Sequence, residues 1–117
     1  AEFVNRSKIQ FPKFYVLTPL PGTEFFKEIK NSGRLLHEDY KKYTAASCVF
    51  QPKNMNAKEL EDSYFKMYKN VYSMKNIIKR TIANKAFFKN PSVHLFAMFT
   101  NLVYRKFLNQ GDTPNIL

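Results

Sequence analysis

No glycine or proline interrupts the chain from Ala57 to Asn84, and within it Leu60, Tyr64, Met67, Val71, Met74, Ile78 and Ile82 recur at steps of three and four. Only an α-helix places residues so spaced on one face, so a helix of up to about seven turns is expected, kinked near Tyr72-Ser73. Its start is marked by Asn56 three residues ahead of Glu59, a capping-box pattern with Asn in place of Ser or Thr. Asn90-Pro91 then makes a sharp restart, with Pro91 at the first helical position. Leu95, Phe96, Phe99, Leu102, Val103 and Phe107 form an apolar stripe up to Gly111. At helical spacing such aromatics, although interleaved with lysines, are expected in the core and not as a stacking platform for single-stranded nucleic acid.

The first third reads differently. Phe11 to Leu17 is short, aromatic and β-branched, and it runs into Thr18-Pro19-Leu20-Pro21-Gly22-Thr23, where two prolines and a glycine stop any regular element. Thr23 is placed to cap a helix through Glu24–Lys30, with an acid in its first turn and Gly33 beyond its end. Ala45 to Phe50 is a second short extended candidate, closed by Pro52. The class expected is therefore α+β and mostly helical, and 113–117 is expected to be an extended or frayed tail.

The charge is uneven. The chain carries 19 Lys and Arg against 9 Asp and Glu, a net +10, and no Asp or Glu occurs between Ser63 and Gly111. Lys66, Lys69, Lys75, Lys79, Arg80, Arg105 and Lys106 thus lack carboxylates within that stretch to pair with, and an anionic partner would neutralise them. Such a partner is a nucleic acid, an acidic lipid surface or an acidic patch of a larger polypeptide, and a plain solvated face needs none. Val93 to Leu108, apolar and flanked by lysines, keeps a membrane-surface helix open as an option. With no basic, apolar leader and no run of 18 apolar residues, neither export nor a membrane span is expected, which leaves the cytoplasm.

Site chemistry is sparse. Cys48, His37 and His94 are far apart, and no pair of them has metal-ligand spacing. Each is expected to be an ordinary core or surface residue, and no metal site or catalytic residue is expected.

One stretch is more specific. Tyr15-Val16-Leu17-Thr18-Pro19-Leu20-Pro21-Gly22-Thr23-Glu24, followed by Gly33-Arg34-Leu35-Leu36, resembles the late strand, loop and helix of the radical SAM barrel in enzymes that also carry a cobalamin-binding domain. Asp39-Tyr40-Lys41-Lys42-Tyr43, Val49-Phe50-Gln51-Pro52-Lys53-Asn54-Met55, the helix around Tyr64, Ile77-Ile78-Lys79-Arg80 and Asn101-Leu102-Val103-Tyr104-Arg105 are similar to the C-terminal extension of that family.

The resemblance implies a parent enzyme with a 4Fe-4S cluster and S-adenosylmethionine, which it cleaves reductively, and with cobalamin as a second cofactor. The cluster requires three closely spaced cysteines, and this chain has one. The resemblance therefore implies a C-terminal fragment, inactive by itself, cut within the barrel. Residues 1–36 would be the strand-loop-helix remnant of the barrel and 37–117 a helical extension. Its partners would be the barrel and cobalamin-binding domains of the same polypeptide, and the Phe14 and Val16 face of a lone strand would be covered by the Ala45 to Phe50 segment, by self-association, or not at all. Thr18, Pro19, Leu20, Pro21, Gly22 and Thr23 would lie at the carboxyl end of that strand, on the S-adenosylmethionine side. The basic helices would dock on the absent domains or cover an anionic substrate. The alternative is a stand-alone basic helical module that binds nucleic acid.

Overall fold

The computed structural model describes residues 1–112, and the expected tail, 113–117, lies outside the described residues. Five α-helices follow one another: α1 Glu2–Ser7, α2 Glu24–Asn31, α3 Ala57–Val71, α4 Met74–Arg80 and α5 Pro91–Asn109. Short 3-10 turns lie at Tyr40–Lys42 and Lys85–Phe88. The mostly helical class holds, while no strand forms among the described residues. An isolated antiparallel bridge, Leu35 with Phe50, is the nearest approach to a sheet. The chain divides into two compact units, one made of 1–14 and the residues from 65 onward, the other of 15–64.

In the 15–64 unit the punctuation acts as its chemistry dictates. The Thr23 side chain accepts the Phe26 N–H at 3.2 Å and starts α2. Gly33, at φ 68, ends it, with the Arg34 N–H returning to Ile29 O at 3.1 Å. α2 buries Phe26 and Ile29. The Asn56–Glu59 capping box closes in both directions at 2.8 Å and begins α3. Val16 is buried, and its N–H donates to Ala45 O at 2.7 Å, one bond where a ladder was expected. The partner of the Ala45–Phe50 segment is instead 34–36: Leu36 N–H donates to Val49 O at 3.0 Å and Gln51 N–H to Arg34 O at 2.7 Å.

In the other unit the expected strand at Phe11 begins in an extended segment whose backbone bonds to side chains and not to a neighbouring strand. Tyr72 Oη donates to Pro12 O at 2.7 Å, the Phe14 N–H donates to Tyr68 Oη at 2.8 Å, and Asn101 Nδ2 donates to Gln10 O at 3.0 Å. Alternate residues 10, 12 and 14 thus point at helices, the two-residue period of a strand without its ladder.

The helix expected over 57–84 is divided. Ser73 is extended (φ −66, ψ 149), α4 ends at Arg80, and Asn84 caps the 3-10 turn that follows. The division falls at the expected kink. A second difference concerns α5. Its buried residues are His94, Ala97, Asn101 and Leu108, while Leu95, Phe96, Phe99 and Leu102 are exposed. Four residues of the stripe expected in the core thus face outward, while Val103 and Phe107 are half-buried, and the buried polar network described below holds the opposite face inward.

Candidate functional site

Where a helix stops, its last carbonyls lose their N–H partners. At the end of α3 three consecutive carbonyls are met by side chains. Asn76 Nδ2 donates to Asn70 O at 2.8 Å, Arg80 Nη1 donates to Val71 O, and Arg105 Nη1 donates to Tyr72 O at 3.1 Å. Cations at this end also suit the helix dipole.

Arg80 is the centre of this arrangement. It is 1% exposed, lies 4.9 Å from the Tyr72 ring centroid, and gives Nε and Nη2 to Asn101 Oδ1. Asn101 returns its amide to Gln10 O and Ala97 O, and Gln10 Nε2 lies 3.1 Å from His94 Nδ1. Burial lowers the Arg80 pKa and raises that of Tyr72. Arg80 was expected among the docking cations. The structure instead buries it, with Nε, Nη1 and Nη2 each bonded to Asn101 or Val71 inside the unit.

The remaining cations sort into places. Lys69 and Arg105, with Tyr72, Leu108 and Asn109, line a cavity of about 230 Å³. No carboxylate lines it, and Arg105, oriented by Tyr72 O, has further N–H donors for an anion. Lys75 and Lys79, one turn apart on α4, border a broader depression with Glu2, Asn5 and Ser73. Lys66 and Lys106 are exposed and border neither. Among the described residues none of these lysines makes an ion pair; the ion pairs are Lys27–Glu24, Lys30–Glu38 and Lys58–Asp62.

The Thr18–Thr23 loop is explained locally. Pro19 is buried, Thr18 Oγ1 donates to Val16 O at 3.0 Å, and Thr23 Oγ1 donates to Leu20 O at 2.7 Å. Gly22 sits at φ 89, a left-handed conformation that side-chain-bearing residues rarely adopt. Leu20 is exposed.

An iron–sulfur cluster does not fit this chain. Cys48 is buried, its thiol donates to Phe50 O at 3.0 Å, and burial raises its pKa. Among the described residues no group of three His, Cys, Asp or Glu side chains could hold a metal, and no helix is long and apolar enough to cross a membrane. His94 is a packed histidine, as expected, and Glu61 accepts the Cys48 N–H at 2.8 Å.

Sequence reasoning missed the Gln10–Asn101–Arg80 network. Its one visible signal was the second helical stripe in α5, His94, Ala97, Asn101 and Leu108, at spacings of three, four and seven.

The family described as Domain of unknown function (DUF4070) matches residues 23–108. The chain is similar to bacteriochlorophyllide d C-12(1)-methyltransferase of Chlorobaculum tepidum, 37% identical over 79 residues, which covers 68% of this chain and 17% of that protein. It is also similar to bacteriochlorophyllide d C-8(2)-methyltransferase of the same organism, 30% identical over 107 residues, 92% of this chain and 22% of that protein. The chain thus spans about a fifth of the length of these curated relatives. No solved structure matches it.

Proposed function

Because this chain belongs to the family described as Domain of unknown function (DUF4070), we propose that it is the C-terminal part of a longer radical SAM enzyme of the cytoplasm, where it serves as scaffold and docking element. The observation that carries this reading is alignment to about a fifth of each of two methyltransferases, together with the radical SAM resemblance of the Leu20-Pro21-Gly22-Thr23 region. The 4Fe-4S cluster, S-adenosylmethionine and cobalamin then belong to the rest of that polypeptide, because the single thiol here is committed to Phe50 O.

In this reading Thr18, Pro19, Leu20, Pro21, Gly22 and Thr23 form a rigid loop on the S-adenosylmethionine side. Lys66, Lys69, Lys75, Lys79, Arg105 and Lys106 engage the barrel and cobalamin-binding domains or an anionic substrate, with Lys69 and Arg105 the best-placed pair because they share one cavity free of carboxylates. Methyl transfer is the activity the relatives' names carry, and it is proposed here for the parent only.

The test is anaerobic reconstitution of the complete gene product with iron and sulfide, followed by assay for reductive cleavage of S-adenosylmethionine. The complete product is expected to cleave it and the 117-residue chain is not. Cleavage by the 117 residues alone, or a complete product that binds no cluster, overturns the proposal.

A further inference from the structure

The inverted α5 helix is the feature the scaffold reading leaves unexplained. Its polar residues Asn101 and His94 are bonded inside the unit, and its outer arc carries Leu95, Phe96, Phe99 and Leu102, with Phe96 and Phe99 each 66% exposed. Phe11, itself exposed, packs edge-on to Phe96 at 6.4 Å and widens the arc. A contiguous apolar surface of this kind is rare on a monomer and marks an interaction site. The spacing 95, 99, 102 is that of anchors which a helix lays into a groove.

We infer that this face of α5 docks into an apolar groove rimmed by carboxylates, contributed by another part of the same polypeptide. In sequence Lys85 and Lys89 precede the arc and Lys106 follows Leu102 by one helical turn, and from Ser63 to Gly111 no carboxylate is present to offset them, so an acidic rim on the groove complements this charge. A second copy of this surface would oppose lysine to lysine. A covalently attached groove is favoured over a separate partner because the chain is about a fifth as long as its relatives, and attachment holds the two surfaces at high effective concentration. This inference rests on the proposed longer parent and adds where the parent is engaged.

The test replaces Phe99 with p-benzoylphenylalanine in the complete gene product, irradiates it and maps the cross-link. A link within one polypeptide, to residues outside these 117, is expected. Its yield should fall at least fivefold when Lys89→Glu and Lys106→Glu are added. Links only between copies, co-flotation of the product with anionic vesicles through this face, or no link at all overturns the inference, and an unchanged yield after charge reversal overturns the acidic rim. The Phe96→Ser/Phe99→Ser chain serves as control and should unfold at the same urea concentration as the parent sequence, because both side chains are exposed; a large loss would show a core role and also overturn the inference. These outcomes are separable from failure of the parent enzyme reading, which is decided by cluster binding and S-adenosylmethionine cleavage.

Discussion

The two compact units hold themselves together at different ranges. Residues 15–64 combine bonds between near neighbours in sequence, Thr23 to Phe26, Asn56 with Glu59 and the ion pairs Lys27–Glu24 and Lys58–Asp62, with backbone bonds of middle range, Leu36 to Val49 and Val16 to Ala45. The other unit relies on side chains that reach distant backbone: Asn101 to Gln10 across 91 positions, Tyr72 to Pro12 across 60, Arg105 to Tyr72 across 33. In the first, Lys27, Lys30 and Lys58 pair with carboxylates. The second spends two arginines on the carbonyls of a broken helix and leaves its lysines for something else. Local bonds stabilise modestly and independently, whereas a buried network with a charge at its centre fails as a unit.

The largest expected effect is therefore in the network. Asn101→Ala removes the acceptor of two Arg80 donors and leaves a buried guanidinium underpaired, which should lower stability by about 3 kcal/mol in urea unfolding. A loss near zero would mean Arg80 escapes to solvent. Next is Tyr72→Phe, which strips the bond to Pro12 O and should cost about 1–2 kcal/mol, with increased protease sensitivity at residues 10–14 as a second readout.

The same tyrosine sets a pH response. Burial raises its pKa above the ordinary 10.0, so the folded chain keeps a proton that the unfolded chain releases. Its contribution is complete below pH 10.0 and is lost as pH rises further. Urea midpoints should fall between pH 9 and pH 11, and less steeply in Tyr72→Phe; equal slopes would remove Tyr72 as the cause. In the 15–64 unit the effects should be smaller. Asn56→Ala is expected to cost about 1 kcal/mol. Lys58→Ala should leave the urea midpoint essentially unmoved, since Lys58 and Asp62 are both largely exposed and solvent screens the pair.

This contrast also explains what could be read from the residues alone. Caps at Thr23 and Asn56 and the stop at Gly33 were legible because cause and effect lie within four positions. The strand expected at Phe11–Leu17 had the right period but the wrong partner, since nothing local signals that Tyr68 and Tyr72 hydroxyls meet its backbone. The inward face of α5 was misread because an apolar stripe ordinarily marks the core, and here Arg80 and Asn101 outcompete it. Of the candidate cations, Lys69 and Arg105 share a cavity while Arg80 is withdrawn, a distinction that depends on the break at Ser73 and on no pattern of charge.

That break also carries a consequence for how the chain is made. A ribosome delivers Tyr72 well before Arg105, so the nascent segment around Ser73 emerges with the Tyr72 carbonyl facing only water. The bend therefore receives its last clamp only after most of α5 has been synthesised.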